Sequence, residues 1–244
     1  MIMRTPFVTA LAKRNVSDVC RSLMVSRLRV LVIAGVLAVA ALPSPADAKE
    51  DPAGFGDSLE TPDGEPFRLP EGLELTIISY NHFDTESSCK RPDAPAEEPP
   101  LEDMGLGLGE VPLCFQFRNA TDQNISVRLP PGLILVSENR KFQNGLLVQS
   151  VELEVPSNQY LFAPIKTDCM NSSRNMPGLG FPYTLGPVTR ERNVHEVLDL
   201  LADRDLSGVM DAVNATGVLK PTYKGRRMDH GARDDIAALP ARRD

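Results

Sequence analysis

The sequence predicts a mainly β protein, an antiparallel β-sandwich with a short C-terminal helical pair. Three observations lead there. Between Leu73 and Lys166 apolar residues recur at every second position in short runs. Turn-forming clusters such as NATDQN, PPG, SENRKFQNG and PSNQ separate these runs. After Gly186-Pro187 the apolar spacing lengthens to about 3.6 residues, the period of a helix. Short Val/Ile/Leu/Phe strands joined by compact turns suit two facing sheets. A half-open sheet backed by helices would use the same strands.

The first run, LELTIISY (73–80), alternates imperfectly. VPLCFQF sets Val111, Leu113, Phe115 and Phe117 on one face, which leaves Cys114 on the other with Gln116 and Arg118. NISVRL aligns Ile125, Val127 and Leu129; GLILV follows two prolines; SVELEVP points Val151, Leu153 and Val155 inward and Glu152 and Glu154 out; QYLFAPIK completes six strands. In the helical part, Asn193 and Glu196 have the spacing of a capping box before Val194, Val197, Leu198 and Leu201. Leu206, Val209, Met210 and Val213 suggest a second short helix, with Gly217 placed to stop it.

The rest of the chain divides by composition. Residues 1–48 read as a secretory signal with an extended N-region: Arg27 and Arg29, a thirteen-residue apolar core from Val30 to Leu42, and the small-x-small triplet Ala46-Asp47-Ala48. Cleavage is expected before Lys49, and Met24 would begin a signal of ordinary length. The apolar core falls short of the roughly 20 residues a bilayer span needs, so no membrane span is expected after cleavage. Residues 49–70 form a polar arm, 71–220 the sandwich and helix pair, and 221–244 a tail without an apolar stripe, expected to be disordered. Within the middle region, residues 84–110 form an acidic Pro/Gly loop whose glycines 105, 107 and 109 neither follow a strand nor open a helix. That loop is expected to be flexible or a partner-contact surface.

Charge excludes some functions. The whole chain carries 26 basic and 33 acidic side chains; without the signal it keeps 20 and 31, a net charge of −11. An acidic exported chain is poorly suited to nucleic acid or anionic lipid, both of which recruit Lys and Arg.

Three cysteines follow the signal: Cys89, Cys114 and Cys169. An oxidising compartment favours a pair and leaves one over. Cys89, in the acidic loop that runs into the strand of Cys114, is the expected partner of Cys114, and that bridge would fasten the loop to the sheet edge. A bridge from either to Cys169 remains the alternative. If unpaired, Cys169 in TDCMNSS is a nucleophile or a buried small side chain. A thiol nucleophile needs a base, and His82, His195 and His230 show no helpful spacing; a site of Cys169, His82 and Asp84 exists on paper alone. The turn-forming Asp168, Asn171, Ser172 and Ser173 are expected to bond to nearby backbone. One metal motif is partial. Asp203, Asp205, Ser207, Gly208 and Asp211 fit positions one, three, five, six and nine of a calcium loop, but Asn214 stands where a bidentate carboxylate belongs. The competing role is helix capping by Asp205.

The order FRNATDQNISVRLPPGLIL, FQNGLLVQSVELEVPSNQYLFAPIKTDCMNSSRNMPG and YTLGP, followed by a helix pair, resembles uncharacterised exported bacterial domains with an immunoglobulin-like β-sandwich. The resemblance spans roughly residues 111–220 and implies a fold without an activity. It makes Cys169 part of the common frame and Cys89 and Cys114 private to the acidic loop. The resulting expectation is a periplasmic or secreted, non-enzymatic binding or assembly module whose partner is another envelope or secreted protein, with no cofactor. The alternative is an enzyme or calcium-dependent binder using Cys169 or Asp203/Asp205.

Overall fold

A computed structural model describes residues 50–81, 89–92, 104–106 and 109–242. The predicted signal, His82, Asp84 and most of the acidic loop lie outside these residues. The described residues form ten strands: β1 (Gly64–Glu65), β2 (Leu73–Ser79), β3 (Met104–Gly105), β4 (Val111–Asn119), β5 (Ile125–Leu129), β6 (Leu133–Ser137), β7 (Gly145–Leu146), β8 (Val151–Val155), β9 (Tyr160–Cys169) and β10 (Pro182–Thr189). After β10 they form three helices: α1 (Arg192–Leu201), α2 (Val209–Tyr223) and α3 (His230–Ala238). Among the described residues no helix is long and apolar enough to cross a membrane.

The mainly β character is as the sequence predicts, but three helices stand where a pair was expected, and the main sheet is not one layer of a sandwich. It runs β10–β2–β4–β9–β7–β6 and closes through a β10–β6 pairing into an antiparallel barrel. The strand responsible is β10, whose sequence PYTLGPVT hides its pattern behind Pro182, Gly186 and Pro187. Its register shifts between Leu185 and Val188, a bulge that accommodates the Gly-Pro pair while the strand reaches both β2 and β6. Closure satisfies the edges that an open sheet would leave unpaired. β5 and β8 pair separately, Ile125 opposite Val155 through Leu129 opposite Val151.

Alternation along each strand divides the apolar residues among three clusters. Val111, Leu113, Phe115 and Phe117 of β4, Leu133 and Leu135 of β6, and Ala163 and Ile165 of β9 fill the barrel, joined by Val127, Leu129, Val151 and Val155 from β5 and β8. On the outside, Tyr80 packs with Cys89 and Cys114 beside Ile78 and Phe162. Cys89 and Cys114 form a disulfide that closes a separation of 25 residues, worth about 3 kcal/mol through restriction of the unfolded chain. The third cluster covers β6 and β7: Ile134, Leu146 and Val148 meet the apolar stripes of the helices.

Five expectations are corrected here. The capping box is absent: Glu191 is the N-cap of α1 without a side-chain cap bond, and Asn193, already inside the helix, donates from Nδ2 to the Gly225 carbonyl at 3.1 Å. α2 continues through Gly217 to Tyr223, and the face it buries carries Ala212, Ala215, Val218 and Leu219. Of the stripe predicted to pack, Leu206 is buried, but Val209, Met210 and Val213 are exposed at 57%, 67% and 44%. The tail from Pro221 is ordered as the end of α2 and as α3, because Ile236 and Leu239 are buried in the helical cluster. Asp229 caps α3 by accepting from the Ala232 amide at 2.8 Å. The polar arm is packed as well: Phe55 is fully buried, its ring 5.3 Å from that of Tyr223, and Lys224 pairs with Asp51 and Asp57. Arm and tail clasp each other.

Candidate functional site

TDCMNSS ends β9 where three parts of the chain meet. The β4–β9 ladder pairs Val111 with Thr167, which brings Glu110, one residue before β4, alongside Asp168 and Cys169. β7 flanks the other side, with Gly145 opposite Cys169 and Leu146 opposite Asp168. Alternation turns Cys169 toward the barrel cluster and Asp168 outward to α2. There Thr216, Lys220 and Tyr223, at i, i+4 and i+7, share one helix face.

These side chains form one network. Asp168 is fully buried and accepts from Tyr223 Oη at 2.6 Å, Thr216 Oγ1 at 3.1 Å and Lys220 Nζ at 3.4 Å. Lys220 Nζ also lies 3.1 Å from Glu110 Oε2, 2.7 Å from the Cys169 carbonyl and 2.5 Å from Cys169 Sγ. The Cys169 thiol donates to the Glu110 carboxylate in a short contact. Asp168 therefore reaches across the fold and does not bond to nearby backbone as a turn residue would. Asn171 behaves the same way, donating to the Gly54 carbonyl at 2.9 Å and accepting from the Asn144 amide at 3.0 Å.

The electrostatics follow from burial and from one internal cation. Burial raises the Asp168 carboxyl, against the pull of Lys220 and the two hydroxyls. Burial, the Asp168 charge and the bond to Glu110 together push the Cys169 thiol up to about 12, so it is protonated at neutral pH. Burial alone would raise Glu110, but its bonds from Cys169 and Lys220 outweigh that and hold it below the usual carboxylate range. Burial works against the Lys220 charge, and Asp168, Cys169 and Glu110 overcome it, so the ammonium persists above its ordinary range.

A protonated thiol bonded to a carboxylate is a poor nucleophile. The described histidines do not help it: His195 Nε2 is engaged with the Thr189 carbonyl at 2.5 Å, and His230 opens α3. Metal binding is tested by the same geometry. Glu110, Asp168 and Cys169 place one ligand atom each within 4.8 Å of one another, the one such group of His, Cys, Asp or Glu among the described residues. The ammonium of Lys220 lies among these three atoms, where a cation would lie.

The predicted calcium ligands are not gathered in this way. Asp205 Oδ1 accepts from the Ser207 amide at 3.0 Å and its hydroxyl at 2.6 Å, a local turn that leads into α2 at Gly208. The Asp203 carbonyl accepts from the Arg242 amide at 2.9 Å, and Asp211 lies in the first turn of α2. Asp205 and Ser207 line a cavity of about 240 Å³ whose wall also carries Glu152, Arg204 and Arg242.

A second feature is apolar. Between α2 and α3 lies a groove of about 750 Å³ lined by Val213, Gly217, Val218, Pro221, Met228 and Ala232. A Cβ added at Gly217 would meet nothing within 4 Å. Pro221 has no N–H to offer the Gly217 carbonyl four residues earlier.

Of this network sequence reasoning singled out Cys169, and placed Asp168 beside it in the wrong role. Glu110, Thr216, Lys220 and Tyr223 went unseen; the legible signal was the polar line 216–220–223 on a helix taken to stop at Gly217. No family model, curated protein or solved structure matches the chain.

Proposed function

We propose that the protein is an exported, non-catalytic binding or assembly module of the cell envelope, and that its partner face is the groove between α2 and α3. The observation that carries this reading is the inverted face of α2. Val209, Met210 and Val213 stand in solvent beside a groove with an open floor at Gly217. Contiguous exposed apolar surface marks an interaction site more often than a scattered residue does, and methionines such as Met210 and Met228 suit an adaptable one. Asp229 and Asp235 outnumber Arg227 along the groove, which favours an apolar partner segment flanked by basic residues. The three-part leader supports export, and the disulfide suits an oxidising compartment. The opposing reading, an enzyme or calcium binder, is weakened by the protonated thiol and the scattered Asp203, Asp205 and Asp211.

The test is capture from the envelope fraction by a photo-crosslinking side chain at position 213. One dominant partner is expected, and Gly217→Phe, which fills the groove floor, should lower its yield at least tenfold. Equal capture by both forms would sink the reading. The calcium alternative predicts a melting temperature that differs between calcium and EDTA; equal values are expected.

A further inference from the structure

We propose that Cys169 and Lys220 form a covalent cross-link through one bridging oxygen, Sγ–O–Nζ, when the protein meets a hydroperoxide. The geometry points to it. Sγ and Nζ are 2.5 Å apart, closer than the lower end, about 2.7 Å, of an N–H···O hydrogen bond, although sulfur is the larger atom. The two atoms come from elements separated by 51 residues, and both are held: Nζ by the Cys169 carbonyl at 2.7 Å and by Asp168 at 3.4 Å, Sγ by Glu110. Glu110 Oε2 touches the thiol and stands 3.1 Å from the amine, so one carboxylate holds both reacting groups in place. Cys169 itself is 8% exposed, but the Lys220 and Glu110 side chains are 36% and 41% exposed, so the cluster reaches solvent at its rim, where a small oxidant enters.

The chemistry balances with two hydroperoxide molecules. The first breaks its O–O bond to place oxygen on sulfur, giving a sulfenic acid S–OH and one water. For the second step the ammonium releases a proton to solvent at the exposed rim, which leaves a free amine. The second peroxide then takes one hydrogen from S–OH and one from the amine, forming the N–O bond and two waters. Each peroxide accepts two electrons, so the sulfur–nitrogen pair loses four. Burial of the thiol makes the first step slow compared with an exposed thiolate. The product ties the end of β9 to the last turn of α2, and with it the helical layer to the barrel.

The experiment is mass spectrometry of the full exported chain after graded hydrogen peroxide. Lys220 precedes Pro221, so trypsin spares it, and the relevant peptides are 167–174 and 205–224 in both states. The expected result is a linked pair heavier than the two peptides together by about 14 Da, one oxygen gained and two hydrogens lost, released by dithiothreitol. Fragment ions separate this from sulfoxide at Met170 or Met210. The link closes a long loop, so the melting temperature should rise by about 10 °C. Lys220→Arg and Cys169→Ser should each abolish both signals, and the wild-type mass stands even where a variant fails to fold. Three results would overturn the proposal: Cys169 driven to sulfinic or sulfonic acid with Lys220 free; a linked pair lighter than the sum by about 2 Da, a direct S–N bond; or an unaltered Cys169 at peroxide levels that fully oxidise the exposed Met210.

Discussion

At the scale of the residue, Asp168 shows how a buried carboxylate is tolerated. Leaving it unpaired would be costly, and three donors, two of them hydroxyls, answer it. Tyr223→Phe keeps the ring against Phe55 and removes the closest of those donors. It should cost about 2 kcal/mol, read from denaturant midpoints. The same cluster sets an alkaline limit. A solvated thiol ionises near about 8.5, whereas the folded Cys169 thiol holds its proton to about 12. Between those values the unfolded chain binds fewer protons than the native one, so stability falls as pH rises. Lys220 acts in the same direction: its contribution is complete below about 10.4 and is lost as pH climbs through its raised folded value. Midpoints measured from pH 8 to 11 should therefore fall, and Cys169→Ala should fall less steeply over the lower part of that range. Equal slopes would mean that the thiol ionises normally in the fold.

At the scale of the element, α2 is the instructive case. A glycine near the end of an apolar stripe ordinarily marks a stop, yet Gly217 lies inside the helix with open space beside it. The helix continues because the following turn is held by tertiary contacts of Leu219, Thr222 and Tyr223, which propensity does not register. Gly217→Ala should stabilise the protein by about 0.5–1 kcal/mol, since the methyl group meets no neighbour and the unfolded chain loses freedom. A destabilising result in thermal or chemical denaturation would show that the groove floor is occupied in the free protein. The inverted face has a similar origin. Ala212 and Ala215 allow close packing, so the small side chains face inward and the larger Val209, Met210 and Val213 are left outside.

At the scale of the whole molecule, the barrel is finished only by the helices. Ile134, Leu146 and Val148 are fully buried because α1–α3 cover them. A chain ending at Glu191 would uncover that apolar surface and remove Lys220 and Tyr223 from Asp168. Such a truncation should lose cooperative unfolding and bind a hydrophobic dye, whereas full recovery of a sharp transition would make the barrel an independent unit. The first residues of the described chain also belong to this layer, through Phe55 and the Lys224 pairs with Asp51 and Asp57.

By itself the sequence determined six of the strands and the buried stripe of α1, and it favoured the Cys89–Cys114 bridge over a bridge to Cys169. Each rests on local periodicity or on which loop precedes which strand, and both are written along the chain. Only the tertiary structure decided that β10 closes a barrel, which face of α2 is buried, and that arm and tail are packed. The Cys169 network belongs with these. Glu110, Asp168 and Lys220 are far apart in sequence, and their meeting depends on strand register and on how α2 lies against β9. Register and helix docking are set by the fit of many side chains at once, which no short stretch of sequence contains.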